Sequence, residues 1–356
     1  MSQLFTPVRV GRLTLQNRLI MAPMTRSRSS DDGVPSDLVA TYYRQRASAG
    51  LIITEGVFPS AMGKGYVRTP GIETDAQVAA WKKVTEAVHA RGGRIFMQLM
   101  HCGRISHPLL LPDNAQTVAP SAIKPAGQTW TASGLQDFVT PRELSPDEIA
   151  GVIDDYRLAT RRALAAGFDG VELHTASGYL PEQFLSSGSN QRQDQYGGSV
   201  ENRARFVLEV LAAMVAEAGG DRVGIKISPE MGFNDITDAN PQETYTYLVE
   251  QLRGLELAYL HVALFGAKAD YHALLRPRFK GAYLIGGGLD QTGAEAVLAD
   301  GRADGTVFGG AFLANPDLPE RFRQGAPLNA PDKNTFYSPG AEGYTDYPFA
   351  GGAKAS

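Results

Sequence analysis

The sequence predicts an α/β protein folded as a single (β/α)8 TIM barrel, and three observations carry that prediction. Short apolar runs recur eight times, at residues 18–24, 51–56, 94–100, 170–174, 223–229, 259–265, 282–288 and 305–310, separated by segments with helical spacing of their apolar residues. The runs are apolar throughout rather than alternating, as strands covered on both faces of a parallel sheet must be. No Gly-x-Gly-x-x-Gly turn follows the first run, which weighs against the competing architecture, a doubly wound open sheet. With 43% hydrophobic residues over 356 positions there is ample material for one large core, so one domain spanning 1–356 is expected.

The elements follow in order. The first run ends at Pro23-Met24-Thr25 and the second at Gly56, after which residues 75–91 have helical spacing. The third ends at Gln98, close to His101, and opens into residues 101–144, rich in Pro, Gly and Ser and expected to form a lid or hairpin over the barrel mouth. The clearest helix start is Ser145-Pro146-Asp147-Glu148: Ser145 can cap, Pro146 suits the first helical position, and Glu148 can close a capping box. That helix should run to about residue 166 and stop at Gly167. The fourth run breaks off at His174, and the turn behind it carries Ser177 and Tyr179. An insertion over 180–198 and a helix over 199–218 come next. The fifth run ends with Lys226 and Ser228, the seventh with Gly286-Gly287-Gly288 before a helix over 292–299, and the eighth with Gly309-Gly310. The tail, 329–356, contains Phe336, Tyr337, Tyr344, Tyr347 and Phe349, too aromatic for a disordered end, so it should pack on the barrel or on a second subunit. A monomer and a homodimer both fit.

A net charge of -4 with no basic run excludes a nucleic-acid or anionic-membrane surface. No apolar run is long enough to span a bilayer and the first twelve residues do not resemble a secretory leader, so a cytoplasmic location is expected. Cys102 is the only cysteine, cannot form an internal disulfide, and reads as a small buried residue. No metal is expected.

In barrels of this kind the chemistry sits at the C-terminal ends of the strands. There, His174, Ser177 and Tyr179 could converge on one substrate oxygen or carbon, the arrangement needed for proton-coupled chemistry at a carbonyl. Gly287, Gly288, Gly309 and Gly310 end the last two strands, where backbone amides commonly cradle a phosphate; tight turns alone are the plainer explanation.

Several ordered segments then resemble the old yellow enzyme family of FMN-dependent NAD(P)H oxidoreductases. They are residues 4–7 (Leu-Phe-Thr-Pro), 17–26 (Asn-Arg-Leu-Ile-Met-Ala-Pro-Met-Thr-Arg), 98–107 (Gln-Leu-Met-His-Cys-Gly-Arg-Ile-Ser-His) and 178–180 (Gly-Tyr-Leu). Further matches are 189–192 (Ser-Asn-Gln-Arg), 194–203 (Asp-Gln-Tyr-Gly-Gly-Ser-Val-Glu-Asn-Arg), 314–318 (Ala-Asn-Pro-Asp-Leu) and 341–348 (Ala-Glu-Gly-Tyr-Thr-Asp-Tyr-Pro). The resemblance implies a non-covalent FMN across the barrel mouth, contacted by Pro23, Met24, Thr25, Gly56, Gln98, Lys226 and the four strand-end glycines. It also implies NADPH or NADH as reductant and an electrophilic alkene or nitro compound as substrate. Thr25 resembles the threonine that bonds the flavin O4, and Gln98 the amide that pairs with the pyrimidine edge, since one carboxamide both donates and accepts. His174 and its partner Ser177 would donate to the substrate oxygen while Tyr179 supplies a proton to the alkene. Tyr66, Met100 and Tyr344 would line the substrate pocket.

Beside Met100, which replaces an aromatic common after Gln-Leu and should reshape the substrate pocket, three positions depart from the family pattern. Ser177 stands where asparagine or histidine is usual, Lys226 where arginine is usual, and Gly310 where an arginine commonly contacts the FMN phosphate. Losing that last contact predicts weaker FMN binding. Two alternatives to an ene-reductase stay open: a specialised biosynthetic flavoenzyme acting as isomerase or oxidase, and a barrel kept as a binding protein after weakened FMN binding.

Overall fold

Eight parallel strands close on themselves: β1 (Leu19–Met21), β2 (Leu51–Val57), β3 (Ile95–Leu99), β4 (Gly170–Thr175), β5 (Val223–Ile227), β6 (Tyr259–Ala263), β7 (Ala282–Gly286) and β8 (Gly305–Phe308). Each pairs with its sequence neighbours and β8 returns to β1, so the computed structural model, which describes residues 2–352, is the (β/α)8 barrel that the eight apolar runs predict. Six of the strands are shorter than those runs, while β2 and β4 each extend one residue further. In β1 the ladder ends where Ala22 donates to the Phe308 carbonyl, because Pro23 has no N–H with which to continue it. The residues released at such ends are the ones that face the mouth.

The capping signals act as their chemistry predicts. Ser145 and Glu148 form a reciprocal capping box at the start of helix Pro146–Ala165, Thr74 and Gln77 do the same for Asp75–His89, and Ser199 caps Val200–Ala218. Inside the barrel Ile20, Ile53, Phe96, Tyr259, Leu284 and Val307 form an apolar plug, and a hairpin carrying Val10 and Leu15 packs on it. A larger apolar layer lies between the strands and the surrounding helices.

Segment 101–144 carries an antiparallel hairpin, Gln128–Thr131 with Gly134–Asp137, and a short parallel bridge between Val118–Ala119 and Arg142–Glu143. Its Phe138 packs with Met100, Cys102, Ile105 and Tyr179, and Tyr66 packs against that group. Cys102 is buried, and burial pushes its thiol far above the ordinary range, which suits a small core residue. The tail returns to the barrel. Arg26 donates to the carbonyls of Phe336 and Gly343, and Arg28 to those of Thr335, Phe336 and Glu342. Residues 353–356 of the tail, and residue 1, lie outside the described residues. Among the described residues no helix is long and apolar enough to cross a membrane.

Candidate active site

The turn after β4 is held by side chains at each of four consecutive backbone groups. The Ser177 N–H donates to Ser228 Oγ (2.9 Å) and the Ser177 carbonyl accepts from Asn234 Nδ2 (2.8 Å). The Gly178 N–H donates to Glu182 Oε2 (2.6 Å) and its carbonyl accepts from Gln183 Nε2 (2.8 Å). The turn needs this support because Ser177 has φ +58°, a region unfavourable for a residue with a Cβ, and Gly178 has φ +78°. A Cβ on Gly178 would lie 2.8 Å from Asn234 Cβ, so glycine also lets the loop after β5 approach. Glu182 is buried, its carboxyl pushed up to about 7 by desolvation, and it accepts a second bond from the Tyr245 hydroxyl.

That turn presents Tyr179 beside His174. Their rings meet edge to face with centroids 5.0 Å apart, and the Tyr179 hydroxyl lies 2.9 Å from that of Tyr66. Burial holds the Tyr179 phenol well above its usual range, so it is protonated at neutral pH. Burial, with the positive charge of Lys226 and the ring of His261, holds His174 well below its usual range, so the imidazole is neutral. His174 Nδ1 is buried and has no hydrogen-bond partner among the described residues. A buried polar atom left this way in a strand-end cluster is aimed at something other than the protein. Ser177 is less well directed: its hydroxyl is 3.5 Å from Met231 Sδ, a weak acceptor.

The predicted cofactor contacts lie on the same rim. Pro23, Met24 and Thr25 are half-buried just beyond β1. Gly56 lies past a bulge in β2, and a Cβ there would meet Met100 Sδ at 2.5 Å, so this glycine makes room for the methionine. Gln98 donates from Nε2 to Glu172 Oε1 at 2.7 Å, which turns its carbonyl away from that carboxylate. Lys226 is half-buried and makes no ion pair among the described residues, while Glu172 and Glu182 partly offset the burial that lowers its ammonium. Gly287 and Gly309 are half-buried, and Gly288 and Gly310 exposed. At Gly287, φ is +124° and a Cβ would lie 2.1 Å from the Leu264 carbonyl oxygen, whereas a Cβ on Gly288 would meet nothing within 4 Å. An amide with a spare carbonyl, an unpaired ammonium, an orphaned imidazole nitrogen and two open glycine turns fit a flavin mononucleotide, which carries a donor–acceptor ring edge, a negative charge when reduced, and a phosphate.

One expectation is corrected. Tyr344 does not line a pocket: it is fully buried, stacked on Tyr42 at 4.1 Å, with the Arg28 guanidinium 4.8 Å from its ring centre. Its ring faces are consumed in fastening the tail, and cation–π contact explains why two buried arginines flank it. The most exposed tail aromatic is Tyr337, 62% exposed; the Tyr66 phenol is raised chiefly by its own burial, with Tyr337 a minor electrostatic contributor. Glu172, His261, Glu182 and Asn234 also support this cluster, though no sequence motif marks them. For Glu172 a signal existed, since a carboxylate inside an otherwise apolar, doubly covered strand must have buried partners.

The model of the NADH:flavin oxidoreductase / NADH oxidase family matches residues 3–329. A putative 12-oxophytodienoate reductase 3 of Oryza sativa subsp. japonica is 46% identical, with 97% of this chain and 92% of the relative covered. Among solved structures, morphinone reductase in complex with tetrahydroNAD superposes with a TM-score of 0.94 at 51% identity, covering 98% of both chains. The old yellow enzyme homologue from Zymomonas mobilis does so with a TM-score of 0.94 at 40% identity, covering 97% of this chain and 99% of that one. The chain therefore belongs to the NADH:flavin oxidoreductase / NADH oxidase family, as an old yellow enzyme-type barrel that works with FMN and with NADH or NADPH as reductant.

Proposed function

We propose that this flavoprotein reduces activated C=C bonds, those conjugated to a carbonyl or nitro group, with Tyr179 as the proton donor and His174 as the group that polarises the substrate. Enones, enals, maleimides, quinones and nitro compounds, with nitrate esters as a further acceptor class, share the required electron-poor centre. The observation that carries the reading is the protonated, buried Tyr179 hydroxyl, 2.9 Å from Tyr66 and edge-on to a neutral His174.

Bound FMN, reduced by NADPH or NADH, supplies the hydride. The protein's residues do the rest. A neutral imidazole donates a hydrogen bond without surrendering its proton, so His174 draws electron density toward the substrate oxygen and stabilises the negative charge that grows there. Tyr179 holds a proton that water does not remove at neutral pH and passes it to the carbon α to the activating group. The Tyr66 hydroxyl is placed to stabilise the phenolate left behind. Ser177, on a shorter arm than asparagine and turned toward Met231, contributes less to oxygen recognition. Met100 and Tyr66 border the pocket, and Tyr337 and Asn234 join them as candidates from the tail and the loop after β5. Thr25, Gln98 and Lys226 would hold the flavin ring, with the amides of Gly287, Gly288, Gly309 and Gly310 at its phosphate. Relatives named for reducing 12-oxophytodienoate and morphinone, names that denote oxo compounds, support the substrate class.

The test uses FMN-loaded protein with NADPH or NADH and 2-cyclohexenone, N-ethylmaleimide or β-nitrostyrene. Reductant consumption in step with alkene loss supports an ene-reductase. Conversion of the alkene without reductant consumption would point instead to an isomerase or oxidase.

A further inference from the structure

The upper interior of the barrel is polar where its lower layer is apolar. Gln98 pairs in register with Glu172 on the next strand, His174 with Lys226, and Lys226 with His261. Directly paired residues point to the same face, and Glu172 shares a face with His174 two positions on, so all five line the interior. Two positions lower on β3 and β6 lie Phe96 and Tyr259, members of the apolar plug. Glu172 is fully buried and His261 nearly so, and burying such groups is unfavourable unless each finds partners. Among the described residues the Glu172 carboxylate has two hydrogen-bond partners, Gln98 Nε2 at 2.7 Å on one oxygen and His261 Nδ1 at 3.1 Å on the other, and the buried Tyr259 phenol below it is raised in part by the same carboxylate.

A carboxylate can only accept hydrogen bonds, so it dictates which end of the Gln98 amide faces it. The NH2 group turns inward and the carbonyl, with the second amide hydrogen, is left for the mouth. The neutral imidazole of His261 donates to the other oxygen and keeps the carboxylate from rotating. Its Nε2 faces Gly286, where a Cβ would lie 3.1 Å away, so little else fits behind the ring.

We propose that Glu172, braced by His261, is the positioning residue that sets the orientation of the Gln98 amide and the countercharge of Lys226, and that it thereby tunes both FMN affinity and the flavin reduction potential. This rests on the reading of Gln98 and Lys226 as flavin contacts. Neutralising Glu172 removes a negative charge diagonally across the β4–β5 ladder from Lys226, on the same interior face, which favours the reduced, anionic flavin. It also lets the Gln98 amide flip, which weakens binding of the oxidised cofactor.

The test measures FMN Kd on apoprotein, the two-electron midpoint potential and thermal stability for wild type, Glu172→Gln, His261→Leu, His261→Asn and Gln98→Ala. Glu172→Gln should raise Kd about tenfold and favour the reduced flavin about tenfold, a shift of about 30 mV to more positive potential. His261→Leu should move both quantities in the same directions. His261→Asn, whose Nδ2 takes the place of Nδ1, should restore values near wild type. If Glu172→Gln and His261→Leu lower thermal stability yet leave Kd and potential within twofold-equivalent of wild type, the pair is structural and the proposal is overturned. If Gln98→Ala alone leaves both unchanged, it is the assignment of Gln98 to the flavin that fails. Should Glu172→Gln not fold, the contrast between the two His261 variants decides.

Discussion

Gly310→Arg should tighten FMN binding by about one to two decades. Position 310 opens a five-residue helix, Gly310–Ala314, directly after the last barrel strand, and it is exposed. A Cβ built there has only Pro331 Cγ within 4 Å, at 3.8 Å, and the backbone is not left-handed, so an arginine enters without clash or strain. A charge-assisted hydrogen bond to phosphate is worth about 1.5 to 3 kcal/mol. At about 1.4 kcal/mol per tenfold, that is roughly a 10- to 150-fold fall in Kd. Replacing a helical glycine can also add up to about 1 kcal/mol of stability whatever the cofactor does, so melting temperature is the wrong readout. The assay is titration of apoprotein with FMN, followed by quenching of flavin fluorescence, at low and high salt. The gain should shrink as salt rises, because the Debye length falls from about 10 Å at 0.1 M to about 3 Å at 1 M. A Kd unchanged within twofold, or a gain indifferent to salt, would refute the reasoning that the exposed glycine turn meets the phosphate.

Two further outcomes follow from the catalytic turn. Asparagine tolerates the left-handed backbone at position 177, where φ is +58°, and its longer arm reaches further, so Ser177→Asn should bind phenolic charge-transfer ligands about 2- to 10-fold more tightly. Long-wavelength absorbance titration checks it, and binding no better than wild type would remove the case against Ser177. Glu182 titrates near 7 in the folded protein against an ordinary 4.5, raised first of all by burial. The folded state therefore favours the protonated carboxyl, whose contribution to stability is complete below pH 4.5 and is lost as pH rises through about 7. The urea midpoint of wild type relative to Glu182→Gln should accordingly decline between about pH 5 and pH 8; a difference that grows with pH in wild type's favour would contradict the shift.

The barrel was legible because a parallel strand buried on both faces leaves an unmistakable apolar run, and because Pro23 and the glycines after β7 and β8 end those runs by their own backbone chemistry. The strand-end groups His174, Gln98 and Lys226 were legible for the same reason. The tail was not. Tyr337 and Tyr344 sit in a segment with no periodic pattern, and only the path set by Arg26 and Arg28 determines that Tyr344 is enclosed and Tyr337 accessible. The supports of the catalytic turn were hidden differently. Asn234 holds the Ser177 carbonyl from fifty-seven positions away, and a side chain that satisfies a remote backbone atom carries no spacing signature, while Glu182, only four residues from the Gly178 N–H it accepts from, reads in sequence as an ordinary first-turn helix carboxylate. Glu172 could have been noticed as a carboxylate in an apolar strand, but its partner His261 comes from a strand eighty-nine positions away.

The role of Tyr179 is tested most directly by resolving the two half-reactions of Tyr179→Phe in an anaerobic stopped-flow experiment. The phenylalanine keeps the ring against His174 and removes only the hydroxyl that meets Tyr66. Reduction of the bound FMN by NADPH should proceed within a few-fold of wild type, while reoxidation by 2-cyclohexenone should slow by about 10²- to 10⁴-fold, the usual range for loss of a general acid. Reoxidation at the wild-type rate would show that the proton comes from elsewhere and that Tyr179 is not the acid of this site.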